Sequence, residues 1–130
     1  MATLSQIQHA FEKRLKDNYL STPIAWDNVS FSPPSSGGWI RPTLLPVATK
    51  NASLGLSKRY SGIFWIQVFA PLLSGSKLAY EIAEELEVLF SNKQFDEVVC
   101  YASEITRTGN EGKGWFQLNV KVHFWSHEIN

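Results

Sequence analysis

Tyr60 to Pro71 reads YSGIFWIQVFAP, and the period of its apolar residues decides the fold. Phe64, Ile66 and Val68 fall on one face and Ile63, Trp65 and Phe69 on the other, the two-residue alternation of a strand built from β-branched and aromatic side chains. A strand that is apolar on both faces belongs in the middle of a sheet or between two layers. The rest of the chain must supply its neighbours and its cover.

Upstream, Thr22 to Pro46 (TPIAWDNVSFSPPSSGGWIRPTLLP) holds five of the six prolines and two of the five tryptophans. Ile24 to Trp26 is a short strand candidate, and Phe31 to Gly38 is loop because its prolines and glycines exclude ladder and helix alike. Proline cannot donate to a β ladder, so Pro42 and Pro46 make the apolar run Trp39 to Val47 an edge strand or a bulged one. An edge is where another chain attaches. Between this run and Tyr60, the residues Ala48 to Ser61 show no period and contain Lys50, Lys58 and Arg59, which predicts a long, basic connecting loop.

At the N-terminal end, Thr3 with Gln6 fits a capping box, and Leu4, Ile7, Phe11, Leu15 and Tyr19 recur down one helical face. Glu12 with Lys16 and Lys13 with Asp17 occupy the solvated side. After Pro71, Ser74 or Ser76 caps a second helix with Leu78, Ile82, Leu86, Leu89 and Phe90 as its core stripe and Glu81, Glu84 and Glu87 pointing away. Phe95 to Thr106 reads as a further strand and Thr108 to Gly114 as a glycine-rich turn. In Trp115 to Trp125, Phe116, Leu118, Val120, Val122 and Phe124 alternate with Gln117, Asn119, Lys121 and His123, so one face meets the core and the other is polar with a tryptophan at each end. The expected fold class is α+β: one domain, residues 1–130, with two helices on a mostly antiparallel sheet of four to five strands in the order α-β-β-β-α-β-β.

Composition narrows the function classes. Twelve basic and twelve acidic residues leave a formal net charge of zero, which argues against gripping nucleic acid through the overall field. Aromatic residues make up 13% of the chain against 18% charged, a surplus that points to oligomerisation. The charged N-terminal helix is neither a signal peptide nor a membrane anchor, so synthesis in a reducing cytoplasm is expected, with no membrane partner. The single Cys100 reads as a buried, inert thiol.

A search for chemistry returns little. His123 and His127 stand four apart, about 13 Å in a strand, too far to share a zinc ion. Ser74 to Lys77 lacks the spacing of a phosphate-binding loop, and Gly109, Gly112 and Gly114 sit between strands rather than before a helix. Glu84 and Glu87 are carboxylates of a solvated helix face. The expectation is no enzyme, with no catalytic residues, no cofactor and no metal.

Five runs carry a resemblance: AFEKRL (Ala10 to Leu15), TPIAWDNVSFSPP (Thr22 to Pro34), WIRPTLLP (Trp39 to Pro46), SGIFWIQVFAP (Ser61 to Pro71), and the helix ending in LF. Together and in this order they resemble the tail terminator-like proteins of long-tailed bacteriophages, which share the lambda tail terminator fold. The resemblance implies a structural virion protein of the tail, at the head–tail junction. Its implied state is a homo-oligomer, a hexameric ring that caps the tail tube, stops its polymerisation and joins the head connector or head completion protein, with phage DNA passing through the lumen. Candidate contact residues for subunit or partner are Trp39, Arg41, Lys50, Lys58, Arg59, Tyr60, Trp115, His123 and Trp125. The alternatives are another neck or tail-completion protein, a nucleic-acid-binding module using Lys50, Lys58 and Arg59 with Trp115 or Trp125, and a small enzyme with a convergent polar pocket.

Overall fold

The computed structural model describes residues 3–34, 37–51, 57–72, 76–110 and 114–129. Its elements are α1 (Leu4–Asn18), β1 (Trp39–Asn51), β2 (Ser57–Pro71), α2 (Lys77–Phe90), β3 (Gln94–Phe95), β4 (Val98–Cys100), β5 (Glu104–Asn110) and β6 (Trp115–Ile129). Thr3 and Gln6 form the capping box at the start of α1: the Thr3 hydroxyl accepts from the Gln6 N–H at 3.3 Å, and the Gln6 side chain accepts from the Thr3 N–H at 2.9 Å. Helix α2 follows Ser76, whose side chain makes no cap bond; Ser74 lies outside the described residues.

The sheet runs β1-β2-β6-β4-β3, with β5 pairing β6 beside β4, and every strand pair is antiparallel. This is the α+β fold with β2 central and β1 at the edge. It has six strands rather than four or five. The Ile24 to Trp26 strand reduces to one parallel bridge, Ile24 to Ile40. Pro23 has no N–H to extend a ladder.

The predicted loop from Ala48 to Ser61 is instead largely the end of a long β1–β2 hairpin, with Lys50 opposite Arg59 and Asn51 opposite Lys58; residues 52–56 lie outside the described residues. Side-chain period failed here because the ladder is held from the other side. Strand β6 pairs β2 out to Ser57–Ile129, and backbone hydrogen bonds are indifferent to polar side chains. The single strand expected over Phe95 to Thr106 is three short ones. Asp96 and Glu97, at φ 44° and 68°, turn the chain between Phe95 and Val98 in the two-residue geometry that usually recruits glycine or asparagine.

Edge prolines are tolerated for a reason that register makes plain. The Ile40 N–H donates outward to Pro23 O at 3.2 Å and its carbonyl accepts from the Ala25 N–H at 2.8 Å, away from β2. Pro42 and Pro46 share that parity, so the donors they lack are outward ones and the β1–β2 ladder loses nothing.

Both helices cover one side of the sheet. Ile7, Phe11 and Leu15 of α1 and Ile82, Leu86 and Phe90 of α2 join Phe64, Ile66, Val68, Leu118, Val120, Val122 and Phe124 in one buried cluster. Phe11 stacks on Phe64 at 4.3 Å and meets Phe90, Phe95 and Phe124 within 5.8 Å. Phe124 in turn lies over Gly62, where an added Cβ would stand 3.2 Å from its ring and 2.4 Å from the Leu45 carbonyl oxygen. Phe11→Ala is expected to cost about 3–5 kcal/mol, the range for a truncated core phenylalanine, measured as a shift of the urea midpoint.

Burial also makes stability depend on alkaline pH. It pushes the Cys100 thiol from 9.0 up to about 12, and the Tyr19 phenol from 10.0 up to about 12. Both groups hold their protons more tightly folded than unfolded, so their contribution is complete below pH 9 and is lost as pH rises from there to about 12. Equilibrium unfolding across that range is expected to show falling stability, with Cys100 unreactive to thiol reagents until the fold opens.

Candidate assembly surface

The strand positions left over by the core compose the opposite face of the sheet. Register aligns Trp39, Arg41, Thr43 and Leu45 of β1 with Phe69, Gln67, Trp65 and Ile63 of β2, and these with Gln117, Asn119, Lys121 and His123 of β6. Trp115 and Trp125 stand on the same parity of β6, opposite Pro71 and Ser61. Among the described residues, Ala25, Phe31 and Pro33 close over one end of this face. Its middle is half-buried and carries Ile63, Trp65, Lys121 and His123.

At the closed end Trp39 stacks on Phe69 at 4.1 Å and 13°, with Phe31 at 5.0 Å and Trp115 edge-on at 5.9 Å. A cleft of about 340 Å³ opens there between Pro33, Arg41, Gln67, Phe69, Trp115 and Gln117. Among the described residues the buried Trp39 indole N–H has no hydrogen-bond partner. Trp39 is packed within its own chain at this end, 4% exposed.

The centre is polar and satisfied. Asn119 Oδ1 accepts from the Trp65 indole N–H at 2.9 Å and from Gln117 Nε2 at 3.0 Å, while Asn119 Nδ2 donates to Thr108 Oγ1 at 2.6 Å. Gln117 and Asn119 are only 4% and 6% exposed. Buried amides in a closed network cost little and fix the tryptophan's ring plane.

Three cations of this face lie over aromatic rings: Arg41 at 5.2 Å from Trp39, Lys121 at 5.7 Å from Trp65, and Arg59 at 4.2 Å from Trp125. Each pair holds a long side chain flat and keeps its charge at the surface. His123 Nε2 meets Glu104 Oε1 at 2.6 Å.

The structure thus gathers Trp39, Arg41, Arg59, Trp115, His123 and Trp125 of the sequence candidates onto one face. Tyr60 has the other parity and packs against the helix-side core. Lys50 takes the register position opposite Arg59, Lys58 the one opposite Asn51. Sequence reasoning placed Gln117, Asn119 and Lys121 on a polar face and Trp65 on one face of its strand, but named none of the four as a contact candidate. The alternation that put Trp65 opposite Phe64 was visible, but its partners required the strand pairing. A groove of about 490 Å³ along α1, lined by His9, Glu12, Lys13, Lys16, Asp17 and Trp26, mixes charges of both signs and gathers no comparable set.

A family model described as phage tail terminator protein matches residues 6–124. A solved structure whose name states no activity aligns over 100% of this chain and 97% of its own, with 26% identity and a TM-score of 0.68. No curated protein matches the sequence.

Asn119 is the keystone of the polar centre, so Asn119→Ala strands a tryptophan N–H and a glutamine amide. The expected cost is about 1–3 kcal/mol, accompanied by a change in Trp65 environment that a single-tryptophan background reads by fluorescence.

Proposed function

Because the chain belongs to the phage tail terminator family, and so to the structural proteins of the phage tail, we propose that it closes the tail at the head-proximal end. Copies of it form a ring, probed below as a hexamer, on the last layer of the tail tube. The ring stops tube polymerisation and offers its far side to the head connector or head completion protein. DNA passes through its lumen.

The observation that carries this reading is the sheet face just described: tryptophans, stacked cations and a buried amide network, with both helices on the other side. Such a face suits a protein neighbour, since tryptophan and arginine are enriched in assembly interfaces. It suits nucleic acid less well, because Lys121 and Arg59 already lie over the rings on which bases would stack. The net charge of zero also supports a conduit, because firm phosphate binding requires several unbalanced cations per subunit.

Deleting the gene from its phage is the direct test. The expected result is tails of uncontrolled length that fail to join heads, visible by electron microscopy; tails of normal length joined to heads would exclude the role. Native mass spectrometry of the ring, alone and bound to tube, is expected to give six copies.

A further inference from the structure

The chain is neutral as a whole and α1 mixes charges of both signs, yet α2 is locally acidic and the outer face of the sheet locally cationic. The described outer face carries Arg41, Arg59 and Lys121, with Glu104 as the acid beside His123. On the opposite side, α2 carries Glu81, Glu84, Glu85 and Glu87 against Lys77. Glu85 accepts from the Ser21 hydroxyl at 2.7 Å and Glu87 from Ser103 at 3.3 Å. Glu81 and Glu84 are exposed, and no hydrogen bond or ion pair engages either among the described residues.

These two carboxylates do not stand in a purely solvated stripe. Tyr80 and Val88, 38% and 73% exposed, share their face of the helix at three- and four-residue spacing. The outward side of α2 is therefore acidic and apolar, and the outer side of the sheet is cationic and aromatic.

The two surfaces differ from one another and lie on opposite sides of one sheet, so contact between them is heterologous and propagates from copy to copy until it closes. Edge-to-edge pairing is hindered at β1. Pro42 and Pro46 remove outward donors from β1, and Pro23 to Ala25 occupy those of Ile40.

We propose that a second copy of this chain covers the sheet face: α2 of one subunit lies across β1, β2 and β6 of the next, Glu81 and Glu84 meeting Arg41 and Lys121 while Tyr80 and Val88 cover the half-buried rings. The proposal rests on the ring reading above and names the surfaces that make the ring.

Charge reversal tests it. One variant carries Arg41→Glu with Lys121→Glu, the other Glu81→Lys with Glu84→Lys, and circular dichroism checks that both fold; Arg41→Glu alone, at an exposed position, stands in if the double variant does not. In sedimentation at low salt the wild type is expected to assemble, and each variant alone to require a protein concentration about tenfold or more higher. An equimolar mixture of the two should assemble again, because the reversed helix of one matches the reversed sheet of the other. A variant that assembles alone like the wild type, a mixture that fails to recover, or a wild type monomeric under all conditions would each overturn the contact. Gene deletion separates the two ideas: runaway tails with an assembly insensitive to both reversals leave the terminator role standing and remove only this interface.

Discussion

The stack of Phe11 on Phe64 is the contact on which the rest of the molecule depends. It joins the first helix to the central strand of the sheet, and three further phenylalanines, Phe90, Phe95 and Phe124, close around it from α2, the β3–β4 hairpin and β6. With one aromatic block filling the helix side, the even-numbered residues of β2 and β6 are committed to the core. The odd-numbered residues are thereby committed to the other face. A one-residue slip of either strand would exchange the two sets, placing Lys121 and Asn119 under the helices, so packing on one side determines the composition of the other.

That outer face achieves order without a second layer. Trp65 is held by Asn119, Trp125 lies beneath Arg59, and Trp39 is clamped between Phe69 and Phe31. Each large ring is fixed by contacts within its own chain before any partner arrives. A surface fixed in this way loses less conformational freedom on association, which is how a domain of modest size offers a usable interface.

The proline-rich stretch runs along the edge of the sheet. Pro42 and Pro46 sit where β1 presents its outward groups, and Pro23 to Ala25 pass along the same edge at Ile40. Sheet extension is blocked at these positions.

Several features were legible in the residues alone, because they depend on local period or local chemistry. The Thr3–Gln6 capping box, the core stripes of both helices, the central place of Ile63 to Phe69, the edge place of Trp39 to Val47 and the two-faced character of Trp115 to Trp125 all belong to this class, as did the family resemblance carried by the proline and tryptophan runs. Tertiary structure decided what depends on a distant partner. The polar stretch after Val47 became strand because β6 runs alongside β2 to its first residue, Asp96 and Glu97 turned a hairpin without glycine because Phe95 and Val98 are drawn into the core side, and Tyr60 faced inward by parity with Phe64. The candidate surface falls in the second class, since Trp65 is 54 positions from Asn119 and meets it and Gln117 only when antiparallel register sets the strands side by side. Period is a property of one strand, whereas a face is a property of several.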